Sequence, residues 1–396
     1  MSVSRFLSFL LAAVLAGGAF AQAPAPTPLP DKPEVAPPPT PEAPVPEGAK
    51  AWILMDHVSG QVLAGEKIDE PLNPASITKV MTSYVVAAEV AAGRASLDDM
   101  VKISENAWRQ GGAGTDGSYS ALEVNTEVKL DDVLHGLVIQ SGNDAAIALA
   151  EHLAGTEAAF VDMMNAYASK LGMSGSHFEN AHGLTADGHV MTARDIATLS
   201  RALINHFPDH YALYKIKEFT YNGIQQYNRN GLLWKDDSVD GLKTGHTSAA
   251  GYCLAASAKR GDQRLVSVVL GIDTNSRNEG FRLREQGNLA LLNWGFRHFE
   301  THSVYGAGEQ VAEHQIWRGA AETVSLGVTE PLLVTVPRGR YGELKPSMDV
   351  PKQLSAPVAK GQAIGTLRLS LDGKVVAERP LVALAEVAEG GFFKRM

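Results

Sequence analysis

Two residues near the start of a long apolar run, Ser76 and Lys79, have the types and spacing needed for nucleophilic chemistry. They stand three positions apart, and residues at that spacing share one face of a helix. A serine hydroxyl is a weak nucleophile unless a neighbouring base takes its proton. A lysine amine can act as that base only when burial or a second cation keeps it neutral. The pair therefore indicates a serine nucleophile, Ser76, activated by Lys79.

Two further motifs follow in the chain. Ser141-Gly142-Asn143 interrupts the two apolar helical stretches of residues 129–153, and such a polar break can present side chains into a cleft. Lys243-Thr244-Gly245 lies in a predicted strand. Taken alone, a Ser-x-x-Lys pattern recurs by chance in a chain of this length, and a Ser-Gly-Asn break is an ordinary helix–helix turn. The order and combination of the three motifs make the chemical interpretation the stronger one.

The element that carries Ser76 is predicted to be a buried helix. Pro74 is tolerated in a first helical turn, and Gly93 is typical of the position just past a helix end. The residues between them are apolar on nearly every face, which predicts a helix inside a larger protein. The run is too short to span a bilayer comfortably.

The rest of the chain predicts a mixed fold that ends in strands. A glycine turn separates two strands at 51–56 and 61–66, and residues 96–127 are turn-rich, without the Lys-Ser/Thr of a phosphate-binding loop. Further helices are predicted at about 157–171, from an N-cap at Thr192 to Leu203, and at 281–299; antiparallel strands are predicted at 239–246, 251–258 and 264–271. After Thr301 the pattern is strands only, with a tight Asp372-Gly373 hairpin, which predicts a β-sandwich at roughly 305–388.

Composition and charge exclude several classes of function. The 396 residues carry a net charge of −9 with 45% hydrophobic residues, and there is no basic cluster suited to nucleic acid. The one cysteine, Cys253, lies in an apolar stretch typical of a buried strand, so no internal disulfide is expected. His206 and His210 have a zinc-like spacing, but Pro208 lies between them and no third ligand is near, so we interpret both as surface residues. We predict no metal and no cofactor.

The N-terminus has the pattern of an exported protein. Arg5, an apolar run from Phe6 to Phe20 and the Ala19-Phe20-Ala21 site predict a signal peptide over residues 1–21 and a mature chain from Gln22. The alternative is an uncleaved membrane anchor. Proline recurs through residues 22–48, which predicts an extended, semi-rigid tether.

The three motifs together resemble the signature of the penicillin-binding proteins and serine β-lactamases. The surrounding sequence is similar to the low-molecular-mass D-alanyl-D-alanine carboxypeptidases of the peptidase S11 type over roughly 48–390. The matching segments are Pro74-Ala75-Ser76-Ile77-Thr78-Lys79, Ser141-Gly142-Asn143-Asp144-Ala145, His182-Gly183-Leu184, Thr192-Ala193-Arg194-Asp195 and Asp240-Gly241-Leu242-Lys243-Thr244-Gly245-His246-Thr247.

The resemblance implies an α+β fold. We expect a penicillin-binding, β-lactamase-like transpeptidase domain at 49–302, with an antiparallel sheet flanked by helices and an all-helical lobe. A small C-terminal β-sandwich domain is expected at 303–390, followed by a short tail at 391–396.

The chemistry and the resemblance assign the same roles to the reacting groups. Ser76 attacks the carbonyl of the penultimate D-alanine of a peptidoglycan stem peptide and becomes an acyl-enzyme, with Lys79 as the base. Ser141 relays a proton to the leaving amine, and Asn143 holds either the peptide or Lys79. Lys243 is expected to help keep Lys79 neutral and to attract the terminal carboxylate of the substrate.

The remaining site residues are implied by the resemblance. The backbone N–H groups of Ser76 and His246 would form the oxyanion hole. Thr244, and less directly Arg277, are candidates for binding the substrate carboxylate. β-Lactam antibiotics would acylate the same serine as inhibitors.

Several alternatives stay open at this level. No Glu-x-x-x-Asn lies between the second and third motifs, because Glu179 and Asn180 are adjacent, and this weakens a β-lactamase interpretation. A DD-endopeptidase that cleaves cross-links would use the same residues, and a protein of another class would be a non-catalytic cell-wall-binding module. The family usually ends in an amphipathic membrane helix, for which Phe392–Met396 is too short. The chain is then a periplasmic protein, soluble or weakly associated with the outer face of the inner membrane, or its recorded end is cut short.

Overall fold

The structure is a computed structural model that describes residues 40–115 and 117–391. The predicted signal peptide at 1–21 and residues 22–39 of the predicted tether therefore lie outside the described residues, as does most of the short tail. The described chain forms two compact units. The catalytic unit runs to His302 and also includes Leu333–Tyr341, and the C-terminal unit contains the other residues from Ser303 onward.

A five-stranded antiparallel sheet forms the centre of the catalytic unit, in the strand order β2-β1-β9-β8-β7. The strands of this unit are β1 (Ala51–Asp56), β2 (Val62–Glu66), β3 (Met100–Lys102), β4 (Glu127–Lys129), β5 (Glu218–Tyr221), β6 (Ile224–Tyr227), β7 (Val239–Thr247), β8 (Gly251–Arg260) and β9 (Gln263–Ile272). The β1–β2 hairpin and the three strands predicted at 239–271 are confirmed. The sheet matters for the site because β7, which carries the Lys-Thr-Gly motif, is one of its two edge strands.

Helices pack on the sheet and form a separate helical lobe. They are α1 (Lys79–Ala91), α2 (Glu105–Gly111), α3 (Leu130–His135), α4 (Asn143–Ala154), α5 (Glu157–Lys170), α6 (Ala193–His206), α7 (Pro208–Tyr211) and α8 (Arg277–His298). The N-caps follow the expected chemistry: Thr156, Thr192 and Ser276 each accept a hydrogen bond from a backbone N–H three residues on.

The helix predicted after Pro74 is confirmed and is buried along nearly its whole length. A single 3₁₀ turn at Ala75–Thr78 precedes α1. Gly93 follows with a φ of 69°, the conformation that glycine adopts at a helix end without steric cost. Because α1 is surrounded by the sheet and by other helices, its first turn is fixed in position.

Two stretches differ from the sequence prediction. Residues 96–127 are not only turns, because Ser104 caps the short helix α2 by accepting from the N–H of Ala107. The prediction missed this helix because its seven residues are too few to show a periodic apolar face. Helix α8 starts at Arg277, four residues before the predicted start, because the Ser276 side chain caps it.

The end of the predicted tether is packed rather than free. The Trp294 indole N–H donates to the carbonyl of Pro41 at 3.2 Å, and Pro46 is buried. Ala43 and Ala49 also pack on the core that α8 forms with the sheet. Proline composition predicts an extended chain, but it does not reveal that an aromatic side chain far along the sequence binds that chain.

The C-terminal unit is built from strands, as predicted. The strands of this part of the chain are β10 (Phe299–Tyr305), β11 (Gln310–Trp317), β12 (Thr323–Gly327), β13 (Leu332–Pro337), β14 (Lys345–Asp349), β15 (Leu354–Ser355), β16 (Ala363–Leu371) and β17 (Lys374–Ala383). Six of them form the sheet of the C-terminal unit, in the order β14-β16-β17-β12-β11-β15, whereas β10 pairs with β13 and most of these two strands belongs to the catalytic unit. The hairpin at Asp372-Gly373 is confirmed, with φ values of 52° and 75° between paired β16 and β17.

The α+β class is thus confirmed, with a mixed catalytic unit and a C-terminal β unit. Among the described residues, no helix combines the length and the apolar character needed to cross a membrane.

Phe160 provides a test of how the helical lobe is held together. Its side chain on α5 is fully buried in the core that also contains α1 and α4. We expect Phe160→Ala to lower the free energy of unfolding by about 3–5 kcal/mol, because it removes apolar burial and leaves a cavity. Urea denaturation followed by circular dichroism at 222 nm measures this loss. Trp108→Ala on α2, where the ring is 42% exposed, is the control with an expected change of about 0.5 kcal/mol. Equal losses in the two variants would contradict the assignment of Phe160 to the core.

Candidate active site

The amine of Lys79 is the centre of the candidate site. Its Nζ donates to Ser76 Oγ at 3.0 Å, to Asn143 Oδ1 at 2.7 Å and to the carbonyl of His182 at 2.6 Å. These acceptors belong to three different segments of the chain, and the fold brings all three segments to this one nitrogen atom. The distance between the amine and the serine hydroxyl is suitable for proton transfer.

Burial controls the charge of this amine. The Lys79 side chain is 1% exposed, and burial lowers its pKa to about 7, opposed by the nearby carboxylate of Asp144. The sequence prediction assigned part of this effect to Lys243. Desolvation is the first cause of the shift at Lys79. The two lysines also repel each other, and the pKa of Lys243 lies well below its ordinary value because of burial first and then Lys79.

The turn that carries Ser76 is held in place by two contacts with the segment of residues 183–189. Thr78, between Ser76 and Lys79, is hydrogen bonded to His189 Nε2 at 2.8 Å. The N–H of Glu179 donates to Nδ1 of that ring, so Nε2 carries the proton and donates to Thr78. Gly183, with a φ of 90°, lies so close that a Cβ there would be 2.0 Å from the carbonyl oxygen of Ala75. Only glycine allows this approach.

The Ser-Gly-Asn motif lies at an irregular junction between helices. A π-helical turn at Gly136–Gln140 follows α3, and Ser141 then adopts a left-handed conformation with a φ of 69° before α4 begins. Asn143, in the first turn of α4, meets Lys79 through its side chain and donates its N–H to the carbonyl of Ser118. The break predicted between two helices is confirmed, and it brings Asn143 to Lys79.

A buried carboxylate fixes the loop beside this junction. Asp144 is fully buried and accepts from the backbone N–H groups of Ser120, Leu122 and Ala145. Burial raises its pKa, while those hydrogen bonds and Lys79 oppose the rise. The Asp144 side chain therefore ties residues 120–122 to the start of α4.

Strand β7 brings the third motif against the nucleophile turn. A Cβ on Gly245 would lie 2.7 Å from the Pro74 carbonyl oxygen and 3.3 Å from the Ser76 nitrogen, which explains the glycine of Lys-Thr-Gly. Lys243 is 2% exposed, and its Nζ lies 3.3 Å from the carbonyl of Thr244. The lysine is thus an internal cation under the strand, while Thr244 reaches the surface of the cleft.

A cleft with a volume of about 970 Å³ lies over these elements. It is lined by six of the residues predicted from sequence, namely Ser76, Ser141, Asn143, Thr244, His246 and Arg277. The other two, Lys79 and Lys243, are buried beneath its floor. The structure therefore brings the predicted site residues to one place.

His246 and Arg277 occupy the outer part of the cleft. The centre of the His246 ring lies 4.0 Å from that of the Tyr252 ring, with the planes tilted by 31°. Desolvation together with the charges of Arg284 and Arg277 lowers the pKa of His246. Arg277 is exposed at the start of α8, with its guanidinium 5.4 Å from the ring centre of Phe281. Its position at the rim is compatible with long-range attraction of an anion.

Two arginines of the cleft were missed from sequence. Arg284 is 4% exposed, stacks 4.5 Å from the Phe281 ring centre and has a buried Nε with no hydrogen-bond partner among the described residues. Its Nη2 points to the carbonyl of Arg229 at 3.5 Å, and burial lowers its pKa to about 10. Arg229 is partly buried, and its Nε lies 3.4 Å from the carbonyl of Gln140. The spacing of residues in the sequence could not predict these two arginines as site residues, because neither belongs to one of the three motifs.

Among the described residues outside the cleft, the histidine pair with zinc-like spacing and the cysteine do not form a metal site. His206 is exposed, but His210 is not the surface residue predicted, because it is hydrogen bonded to Ser83 Oγ at 2.7 Å and burial lowers its pKa to about 4. Helix α1 covers His210, which the spacing alone did not reveal. Cys253 is buried as predicted, and burial raises its pKa to about 11. Within residues 40–115 and 117–391, no group of three or more His, Cys, Asp or Glu side chains is arranged to hold a metal ion.

Comparison with known families matches both units of the chain. The family described as D-alanyl-D-alanine carboxypeptidase, peptidase S11, matches residues 39–274, and the family described as penicillin-binding protein 5, C-terminal domain, matches residues 299–389. The gap between the two matches, residues 275–298, corresponds to helix α8.

Individual relatives extend over most of the chain. D-alanyl-D-alanine carboxypeptidase DacC of Escherichia coli is 47% identical over 351 residues, which are 88% of this chain and 86% of that protein. Penicillin-binding protein 5 from Haemophilus influenzae has a solved structure that is 40% identical, with a TM-score of 0.83 over 88% of this chain and 100% of that one. Penicillin-binding protein D2 from Listeria monocytogenes, solved in a cefotaxime-bound form, is 29% identical, with a TM-score of 0.54 over 65% and 99%. This protein belongs to the D-alanyl-D-alanine carboxypeptidases, the low-molecular-mass penicillin-binding proteins.

Proposed function

We propose that this serine-type D-Ala-D-Ala carboxypeptidase removes the terminal D-alanine from peptidoglycan stem pentapeptides through an acyl-enzyme on Ser76. The observation that carries the proposal is the position and the pKa of the Lys79 amine. Its Nζ lies 3.0 Å from Ser76 Oγ, and burial lowers its pKa to about 7. A neutral amine in that position can accept the proton that the serine must lose.

Acylation follows from this geometry. Ser76 Oγ attacks the carbonyl carbon of the penultimate D-alanine as its proton passes to Lys79 Nζ. The backbone N–H groups of Ser76 and His246 stabilise the oxyanion, since strand β7 lies directly against the Ser76 turn. The bond from carbon to the leaving nitrogen then breaks, and the proton passes from Lys79 through Ser141 to the amine of the departing D-alanine.

Deacylation completes the reaction. Water attacks the ester carbonyl, one of its protons passes to Lys79, and the bond to Ser76 Oγ breaks. The serine regains its proton from Lys79, and the shortened peptide leaves with a new carboxylate. Asn143, which accepts from Lys79 at 2.7 Å, keeps the amine in place through both steps.

The carboxylate of the terminal D-alanine requires a cationic partner. Arg284 suits this role better than Arg277, because its guanidinium lines the cleft and is held there by Phe281 and the carbonyl of Arg229, whereas Arg277 is exposed at the rim. Thr244 lines the same cleft and can donate from its hydroxyl. Arg284 and Thr244 would therefore bind the carboxylate, and Arg277 would attract it from the rim.

We also propose that β-lactams acylate Ser76 and that the protein works in the periplasm. The cefotaxime-bound form of the Listeria relative supports the first part. The apolar run and the Ala19-Phe20-Ala21 site support the second. The charge of −9 disfavours nucleic acid as a partner.

Covalent labelling tests the nucleophile. We expect stoichiometric addition of benzylpenicillin to the full chain, expressed with its N-terminus intact and observed by intact mass spectrometry. Ser76→Ala should give no adduct, and Ser83→Ala, in which the altered residue lies on the same helix but hydrogen bonds to His210, should still be labelled. An adduct that survives in Ser76→Ala would refute the assignment. The same spectrum shows whether the mature mass begins at Gln22.

The pH dependence of acylation tests the base. Lys79 has a pKa of about 7, so the neutral form that accepts the proton is scarce below pH 7 and dominant above it. The second-order rate of acylation should therefore rise about tenfold between pH 6 and pH 8 and then level off. Stopped-flow measurements with nitrocefin give the profile, with the unfolding temperature recorded at each pH as the control for stability. A rate that stays flat over this range is incompatible with Lys79 as the base.

Substitution of the two arginines separates their roles. Arg284→Ala should raise KM for diacetyl-L-Lys-D-Ala-D-Ala and lower kcat/KM by about 10²-fold, because a buried charge-assisted contact with the carboxylate is lost. Arg277→Ala should lower kcat/KM by about threefold, with a stronger dependence on salt, as expected for an exposed charge. Release of D-alanine is the measurement. The assignment fails if Arg277→Ala is the more damaging change.

A further inference from the structure

Four basic side chains lie at the floor and one end of the active-site cleft. Lys79, Lys243, Arg229 and Arg284 are each largely removed from water, and the pKa of Lys243 is lowered by burial and by all three of the others. Within the described part of the chain, no carboxylate forms an ion pair with Lys243, Arg229 or Arg284. Glu285, adjacent to Arg284, is paired with Lys235 at 2.7 Å. Because no carboxylate pairs with these three side chains, other groups of the protein must fix their positions.

A pair of asparagines brackets one of these cations. Asn228 and Asn230 flank Arg229 in the chain, and they are 7% and 1% exposed. A buried amide must have its donors and acceptors satisfied, and it forms directional bonds that do not alter the local charge. The bonds of these two side chains therefore show what they hold in place.

Asn230 joins the Arg229 loop to the strand of Lys243. Its Nδ2 donates to the carbonyl of Gly241 at 3.0 Å, and Gly241 lies two residues before Lys243 on β7. Its Oδ1 accepts from the N–H of Leu232 at 3.1 Å. One side chain thus connects the segment that carries Arg229 to the segment that carries Lys243.

Asn228 anchors the other side of the loop. Its Nδ2 donates to the carbonyls of Tyr214 and Ile216 at 3.2 and 2.9 Å, which belong to the segment before β5. Its Oδ1 accepts from the N–H of Asn230 at 2.9 Å. The backbone of Arg229 is therefore held from both sides, and its carbonyl in turn faces Arg284.

We propose that Asn228 and Asn230 are positioning residues that fix Arg229 and the Lys243 strand relative to each other, in the arrangement that receives the terminal carboxylate of the substrate. They act through the cations and make no contact with the reacting atoms. This inference rests on the proposed function, because it assumes that the substrate ends in a carboxylate. Positioning of charge before the substrate arrives lowers the cost of binding it.

Steady-state kinetics of Asn230→Ala test the proposal. For release of D-alanine from diacetyl-L-Lys-D-Ala-D-Ala, we expect KM to rise about tenfold while kcat stays within about threefold of the parent, because Ser76, Lys79 and Asn143 are untouched. The parent should prefer this substrate strongly over the same peptide with a C-terminal carboxamide, and the preference should fall about tenfold in the variant. Asn228→Ala should likewise raise KM and lower the preference for the substrate with a free C-terminal carboxylate.

Asn165→Ala is the matched control. Asn165 on α5 is also an asparagine with two backbone hydrogen bonds, one from the N–H and one to the carbonyl of Phe178. Asn165→Ala should lower the unfolding temperature, as we also expect for Asn230→Ala, and leave KM and the carboxylate preference unchanged. Unfolding temperatures of all variants separate folding defects from binding defects.

The outcomes are distinct from those that test the proposed function. If Asn230→Ala and Asn228→Ala lower only the unfolding temperature, as the control does, or lower kcat without changing KM, the positioning role is refuted. If the parent itself releases no D-alanine, the proposed function fails, and that result is seen before any variant is compared.

Discussion

The burial of a single amine, that of Lys79, is the constraint on which the rest of the catalytic unit depends. A buried ammonium is costly, so the group must either find acceptors or lose its proton, and here both occur. Its three acceptors come from the turn before α1, from the start of α4 and from the loop at His182. These segments can meet only if α1 is enclosed, which explains why this helix is apolar on nearly every face. The chemistry of the site thus dictates the composition of the central helix.

At the end of the cleft formed by Arg229 and Arg284, the charges are balanced differently from those around Lys79. There the charges are of one sign, and neutral amides rather than carboxylates hold them. A carboxylate beside Arg229 or Arg284 would stabilise the empty protein, but it would compete with the anionic end of the substrate. Asparagine supplies directional bonds without that competition. This arrangement lowers the folding stability of the site itself. Apolar cores such as the one around Phe160 offset that loss, as is typical of proteins with functional sites.

Much of the fold and of the chemistry could be predicted from the sequence, because the signals were local. The Ser76 helix, the β7–β9 strands and the Asp372-Gly373 hairpin each follow from periodicity and turn residues over a short window. What the sequence could not supply depends on neighbours distant in the chain. Burial by surrounding elements is the first cause of the lowered pKa of Lys79. The burial of His210 and the packing of residues 40–48 depend on α1 and on Trp294. Arg284 is separated from Arg277 by two helical turns, and only their difference in burial distinguishes them.

The positions where backbone regularity fails lie close to the reacting groups. Ala75 and Ser141, both non-glycine residues with positive φ, stand immediately before the nucleophile and in the second motif. Gly183 and Gly245 admit the backbone of the Ser76 turn at distances that a Cβ would forbid. Each such position costs conformational energy that the enclosing structure must offset. Because the left-handed Ser141 turns the chain between the π-helical segment and α4, Asn143 reaches Lys79 from the first turn of a new helix. A continuous helix through residues 130–154 would turn that side chain elsewhere, so the irregularity is the feature that assembles the site.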